Sequence, residues 1–352
     1  MRTAHEDRTG LAGVETRWPR DTWYPLLESR WVGRRPVGVT RLGQRLVLWR
    51  GGGGQVVVQP ARCPHRGADL ARGRVVEGTL ECPYHGFRFS TQGACVRVPC
   101  EGQRRPIRQG LELPSPPVRE KHGLVWLWWG EPRTELPPVP WFSELPVDWR
   151  AGCTRTLDWQ VPFVQAMESN LDIHHLPFAH RRVAWGVGEL LEPYEARVEG
   201  PLIRTRGVLR KDDGKPYSGR RGWELELSVL FPHLMLGRFG EHTRVVAAVC
   251  PVDEQKTWLV FRYHVDTPVV GRLLAWATAS LEVALVQPED HELLLGSRPR
   301  PPTPEDHKLV RADAGIALWH KLYRQCMRAQ AQAQVQRGEP AALEPAAAHR
   351  AR

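Results

Sequence analysis

Glu168 to His180 reads ESNLDIHHLPFAH, three histidines and two carboxylates within thirteen residues. Neutral imidazoles and carboxylates are common ligands of divalent transition metals, which makes this stretch a candidate metal site. On a continuous helix Asp172 and His175, three apart, share a face. His175 and His180, five apart, then point about 140° from one another at ~3.6 residues per turn. Pro177 lies between them and biases Leu176 away from αR, so a helix break is expected there, bringing His180 round. Two imidazoles do not complete a site. With a carboxylate from elsewhere in the chain they would form the 2-His-1-carboxylate set that holds Fe(II) and leaves positions open for O₂.

A second constellation lies upstream: Cys63-Pro-His65 and Cys82-Pro-Tyr84-His85, with sixteen residues between His65 and Cys82. Gly67 and Gly86 follow the two motifs. Two cysteines and two histidines also suit a structural zinc site, but zinc fingers and ribbons pair Cys with Cys at short spacing. Here each loop offers one thiol and one imidazole. That mixed pairing fits a Rieske cluster, in which two thiolates hold one iron and two imidazoles the other. The glycines permit φ > 0 and a close approach of backbone to the cluster.

The rest of the chain must position these groups. Its 352 residues suffice for two domains, and 41% hydrophobic with 25% charged residues is a globular profile with a real core. The net charge of +10 is carried almost wholly by arginine, since lysine occurs six times. The basic residues are spread along the chain, with only short runs such as HRRVAW from His180, which argues against nucleic-acid binding. A basic surface that steers an acidic redox partner fits better. MRTAHEDRTGLAGVETRWPR has no apolar core of a secretory signal. The apolar run from Leu273 is interrupted by Glu282 and is short of the ~20 residues of a membrane span. Seven cysteines without a secretory context favour reduced thiols or metal ligands. No membrane association and a cytoplasmic location are expected.

After a polar segment over 1–20, residues 21–130 read as an all-β module. PVGVTRLGQRLVLW is a hairpin around Gly43, QVVVQ the next strand, and VREKHGLVWLWWG a hairpin near Gly123. Residues 131–146 hold five prolines and form a linker. Residues 147–330 mix strands (GWELELSVLF, RVVAAVCPV, TWLVFRYHV) with a helix over about 269–286 and another over about 305–328. An antiparallel sheet with helices on one face is the expected α+β arrangement. Residues 331–352 are a low-complexity tail expected to fray.

CPHRGADLARGRVVEGTLECPYHGFRFSTQG resembles the Rieske domain of the Rieske non-haem iron oxygenases, and the resemblance extends over about residues 20–325. It is nearest to the vanillate demethylase and pheophorbide oxygenase-like group. It implies an N-terminal Rieske domain and a START-like helix-grip catalytic domain. Cys63, His65, Cys82 and His85 would hold a [2Fe-2S] cluster. His175 and His180 would hold mononuclear Fe(II), with Asp290 in VQPEDHELLLGSRP as third ligand and Glu289 the competing carboxylate. Ala68 and Tyr84 stand where respiratory Rieske proteins carry a bridging cysteine pair, so no bridge is expected, and Cys95 and Cys100 read as ordinary thiols. Asp172 would link His175 to a cluster histidine, His85, of a neighbouring subunit in a homotrimer. His174 reads as structural, Glu168 as a cap or ion-pair partner. Ser169 and Asn170 depart from the family pattern, which often has Asn three before the bridging Asp.

The implied function is that of an oxygenase component acting on a small aromatic or secondary-metabolite substrate, with O₂ as co-substrate. Hydroxylation, demethylation and cyclisation remain open. The competing reading is an electron carrier with a non-catalytic ligand-binding domain, for which a complete His175, His180, Asp290 set would be superfluous. Gly186-Val-Gly188 lacks the third glycine of a dinucleotide fingerprint, and no plant-type ferredoxin motif occurs. An external NAD(P)H-dependent reductase, with or without a ferredoxin, is therefore implied.

Overall fold

A computed structural model describes residues 17–145, 152–219, 222–267, 269–297 and 307–337. Alternating and β-branched runs separated by glycine turns give ten strands in the first part. β1 (Thr22–Glu28), β2 (Val37–Arg41), β3 (Gln44–Arg50) and β4 (Val56–Pro60) are followed by four short strands. These are β5 (Arg74–Val76), β6 (Thr79–Glu81), β7 (Arg88–Phe89) and β8 (Cys95–Arg97). β9 (Val118–Lys121) and β10 (Leu124–Trp129) close the part. They form three antiparallel sheets, β1-β10-β9, β2-β3-β4 and β5-β6-β7-β8. Helical structure here is limited to three-residue turns among the described residues.

The second part is built on one antiparallel sheet of seven strands. β11 (Cys153–Trp159) lies at one edge, followed in space by β17 (Thr257–Val265), β16 (Thr243–Pro251), β15 (Leu234–Phe239), β14 (Trp223–Leu230), β13 (Leu202–Arg210) and β12 (Leu190–Glu199). Between β11 and β12 come α1 (Phe163–Leu171) and the single turn α2 (Leu176–Ala179). After β17 come α3 (Gly271–Leu281), a π-helical turn over Glu282–Val286, α4 (Gln287–Gly296) and α5 (Ala314–Gln336). The expected sheet-and-helix α+β architecture is present.

Two local expectations need correction. The last helix begins at Ala314, not near residue 305, and runs through Gln336, into the segment expected to fray. Its long run of Ala and Gln has good helix propensity, which outweighs low complexity as a guide. Residues 305, 306 and 338–352 lie outside the described residues. The second concerns the break near Pro177: Leu176 is helical and Pro177 sits in the first turn of α2. A proline tolerates that place because its missing N–H would have no partner there. The chain leaves the helix earlier, at Asp172, whose backbone is extended.

The two parts share one hydrophobic cluster. Trp23, Trp126 and Trp128 of the first pack in the same core as Leu227, Trp258 and Trp319 of the second. The joint is also hydrogen-bonded: His233 Nε2 lies 2.7 Å from the carbonyl of Trp23, and Leu42 N–H donates to Pro251 at 2.7 Å. Trp319 is fully buried, donates Nε1–H to Pro232 at 2.9 Å and stacks on Tyr323 at 4.9 Å. It seats α5 against the sheet, and its neighbour His320 pairs with Glu168 of α1 at 2.6 Å. Trp319→Ala removes a large side chain that the surroundings cannot refill, so a loss of about 3–5 kcal/mol is expected, read as a lower denaturant midpoint.

Candidate metal centres

The first centre lies on two matched turns that close the second core of the β module. In one, Cys63 N–H donates to Ala68 O at 2.9 Å and Gly67 N–H donates back to Cys63 O at 2.9 Å. In the other, Cys82 N–H donates to Phe87 O at 2.8 Å and Gly86 N–H to Cys82 O at 3.1 Å. The offsets are identical, and Gly67 and Gly86 take φ of +75° and +69°, which only glycine adopts without strain. Each turn points its thiol inward and lifts its imidazole outward. Cys63 and Cys82 are buried side by side, and burial, with Cys82 adjacent, pushes the Cys63 thiol up to about 11. Only a strong positive charge would make thiolates of such a pair near neutrality, as a metal does. The His65 and His85 rings meet edge to face with centroids 4.7 Å apart. Phe87 stacks on His65 at 4.5 Å and Tyr84 covers His85 at 3.8 Å. Paired inner thiols and paired outer imidazoles fit a Rieske [2Fe-2S] cluster. Of the seven cysteines none is in a disulfide, and Ala68 and Tyr84 leave no bridge between the loops.

The second centre brings together residues 110 positions apart in sequence. His175, His180 and Asp290 each offer one ligand atom, and these atoms lie within 4.8 Å of one another. His175 Nε2 and His180 Nε2 are 3.2 Å apart, and Asp290 Oδ1 lies 3.4 and 3.0 Å from them. Two imidazole nitrogens aimed at each other beside a carboxylate suit a divalent cation, one shared point for three lone pairs. Burial opposes charge on His175, but Asp172 and Asp290 outweigh it and push its pKa up to about 10. Burial likewise opposes the Asp290 carboxylate, yet the two histidines hold it below the usual range.

Short elements set this geometry. α1 ends at Leu171, and Asp172 Oδ1 accepts the backbone N–H of His174 and of His175, at 2.9 and 3.3 Å. The following turn presents His175 just before α2 and His180 just after it. Asp290 faces them from the first turn of α4, which is tied to α1 by Gln165 Nε2 donating to Leu294 O at 2.9 Å.

The outer contacts sort the neighbouring acids. Asp172 Oδ2 lies 3.4 Å from His175 Nδ1, a buried nitrogen with no hydrogen-bond partner. Glu289 lies 3.0 Å from His180 Nδ1, away from the convergence point. Glu289, weighed from sequence only as a rival ligand, thus lies on the Nδ1 side of His180, and the spacing offered no sign of that. His174 Nδ1 sits 3.0 Å from Asp172 Oδ1, with Asp313 at 3.8 Å, so His174 braces Asp172. Asn170 turns back to Ala166 O in its own helix, at 2.7 Å. Glu168 pairs with His320, as an ion-pair partner should. A further acid, Glu282, opens the π-helical turn before α4, and burial followed by the charge of Asp290 raises its carboxyl to about 7.

Residues 22–117 match the Rieske [2Fe-2S] domain family. The 5,5'-dehydrodivanillate O-demethylase oxygenase subunit of a Sphingobium species is 32% identical over 71% of this chain and 59% of its own length. Aminopyrrolnitrin oxygenase of Pseudomonas fluorescens is 37% identical over 36% of each chain. The 3-chlorobenzoate-3,4-dioxygenase oxygenase subunit of Comamonas testosteroni is 36% identical over 46% of this chain and 38% of its own. The chain thus spans less than two thirds of the length of these curated relatives. The fold itself is shared with dicamba monooxygenase, at a TM-score of 0.72 and 19% identity over 89% of this chain and 98% of that one. Residues 22–117 thus belong to the Rieske [2Fe-2S] domain family, and the chain beyond them is similar in sequence to oxygenase subunits that carry such a domain.

Proposed function

We propose that the chain is the oxygenase component of a Rieske-type oxygenase, and that the convergence of His175, His180 and Asp290 marks its catalytic metal. That convergence carries the reading, because an electron carrier has no use for a second metal point in a separate domain. When loaded, the cluster would supply single electrons and Fe(II) would bind and activate O₂. Cys63 and Cys82 would hold the inner iron, His65 and His85 the outer one. Asp172 and Glu289 lie on the Nδ1 sides of His175 and His180, where they would hold the Nδ1–H tautomers and leave both Nε2 atoms to bind the metal. Asp172 additionally serves as the electron bridge between His175 and the partner subunit's cluster, in a head-to-tail homotrimer.

The electrons come from an NAD(P)H-dependent reductase, directly or through a ferredoxin, that docks on the basic surface. Among the described residues no helix is long and apolar enough to cross a membrane, and we place the protein in the cytoplasm. The substrate is a small organic molecule. The relatives' names cover a demethylase, a dioxygenase and aminopyrrolnitrin oxygenase, and the reaction here is a hydroxylation, an oxidative demethylation or an oxidative cyclisation. Oxygen uptake driven by NADH and a reductase tests the proposal. Uptake that depends on Asp290 supports it, whereas cluster reduction without such uptake points to the carrier. Glu289→Ala should weaken iron retention about 10- to 100-fold, the usual effect of losing a histidine's outer partner, as read by metal analysis after graded chelation.

A further inference from the structure

Glu282 is not accounted for by the metal chemistry. It is partly buried, and its one hydrogen-bond partner among the described residues is Gln287, whose Nε2 donates to Glu282 Oε1 at 3.3 Å. Gln287 turns its nitrogen toward Glu282, which leaves Gln287 Oε1 buried and without a partner. Gln287 is 4% exposed, so that orphaned acceptor has no bulk water to satisfy it. Tyr263 of β17, fully buried, lies within electrostatic reach of Glu282, and its hydroxyl also lacks a partner. Arg155 on the neighbouring strand does not pair with Glu282; it bonds Cys153, Thr154 and Ser280. Gln287 and Asp290 are three apart in α4 and share its buried face, so this group of polar atoms lies beside the metal-ligand candidate Asp290. The π-helical turn that begins at Glu282 is a form often found at functional sites.

Two hydrogen-bonded side chains that each keep a further acceptor oxygen call for a partner that brings at least two donor hydrogens. We propose that Glu282 and Gln287 form a substrate subsite for a primary amine or amidine-type nitrogen, which donates to Glu282 Oε2 and Gln287 Oε1. This deepens the oxygenase reading and rests on it. A carboxylate or sulfonate placed there would bring only acceptors to two acceptors. A hydroxyl could satisfy only one of the two oxygens.

The test uses the iron-loaded protein, kept anaerobic, with benzylamine, benzyl alcohol and benzoate as probes of one shape and three chemistries. Dissociation constants come from the broadening of each probe's ring-proton signals by the paramagnetic centre. Benzylamine should bind about tenfold or more tighter than benzoate. Glu282→Gln should erase that advantage while changing benzyl alcohol less than about threefold, with the cluster's visible spectrum intact to show a folded protein. Equal binding of benzoate and benzylamine, no binding of any probe, or a Glu282→Gln protein with unchanged amine affinity would overturn the subsite. Iron is counted on the same samples. Full iron with no amine preference sinks this inference alone, while wild-type protein with cluster iron only overturns the oxygenase reading and the subsite together.

Discussion

Alanine at Asp290, or at His175, should abolish turnover and leave the Rieske cluster untouched. Both side chains reach the same point, with Asp290 Oδ1 3.4 Å from His175 Nε2 and 3.0 Å from His180 Nε2. Deleting either leaves two ligands for a metal that needs at least three to hold its geometry. A metal that supplies several kcal/mol of barrier lowering is worth, at about 4 kcal/mol, three powers of ten in rate. Turnover should therefore fall to about one thousandth or less of wild type. The cluster ligands Cys63, His65, Cys82 and His85 sit on separate turns with their own hydrogen bonds, so visible and EPR spectra of the cluster should not change. Oxygenation that survives in Asp290→Ala would show that the carboxylate ligand lies elsewhere.

Asp172→Asn has a different expected outcome, since Asp172 lies behind His175 and not at the metal point. Its carboxylate accepts two backbone N–H groups and faces His175 Nδ1, with His174 at 3.0 Å bracing it. Burial opposes its charge, but the two histidines hold the Asp172 carboxyl well below the usual carboxylate range. The amide can still accept the backbone bonds through its oxygen, so the turn that presents His175 should persist. What is lost is the negative charge beside His175 and, with it, the proposed coupling to the partner subunit's cluster. Both metals should stay bound, and electron transfer from cluster to mononuclear iron should slow by about 100-fold, the upper end for such outer contacts. Stopped-flow reoxidation of the reduced cluster reads this rate. Loss of the mononuclear iron in Asp172→Asn would make Asp172 a ligand itself.

The cluster loops were legible in sequence because their chemistry is local: the thiol, imidazole and glycine of each turn lie within five residues. The strands flanking Gly43 and Gly123 were legible for the same reason, as alternating runs broken by glycine. The mononuclear site was legible only in part. Spacing nominated His175 and His180, but it took family resemblance to nominate Asp290, 110 residues further on, and spacing could not show that Asp290 lies beside both Nε2 atoms while Glu289 lies beside His180 Nδ1. The two acids are neighbours in sequence. The helix turn of about 100° per residue sends one to the metal point and the other to the far side of His180. Helix geometry also misled. Asp172 and His175 do not share a helix face, because the chain is already extended at Asp172 and its side chain caps the next turn. The Glu282–Gln287 pair was invisible because its meaning lies in unsatisfied buried atoms, which no periodicity records.

Iron counting with EPR on anaerobically purified protein tests the central claim most directly. About three irons per chain are expected, two in a cluster with a Rieske EPR signal and one that is lost in Asp290→Ala. A wild-type protein that holds about two irons, all in the cluster, would contradict it.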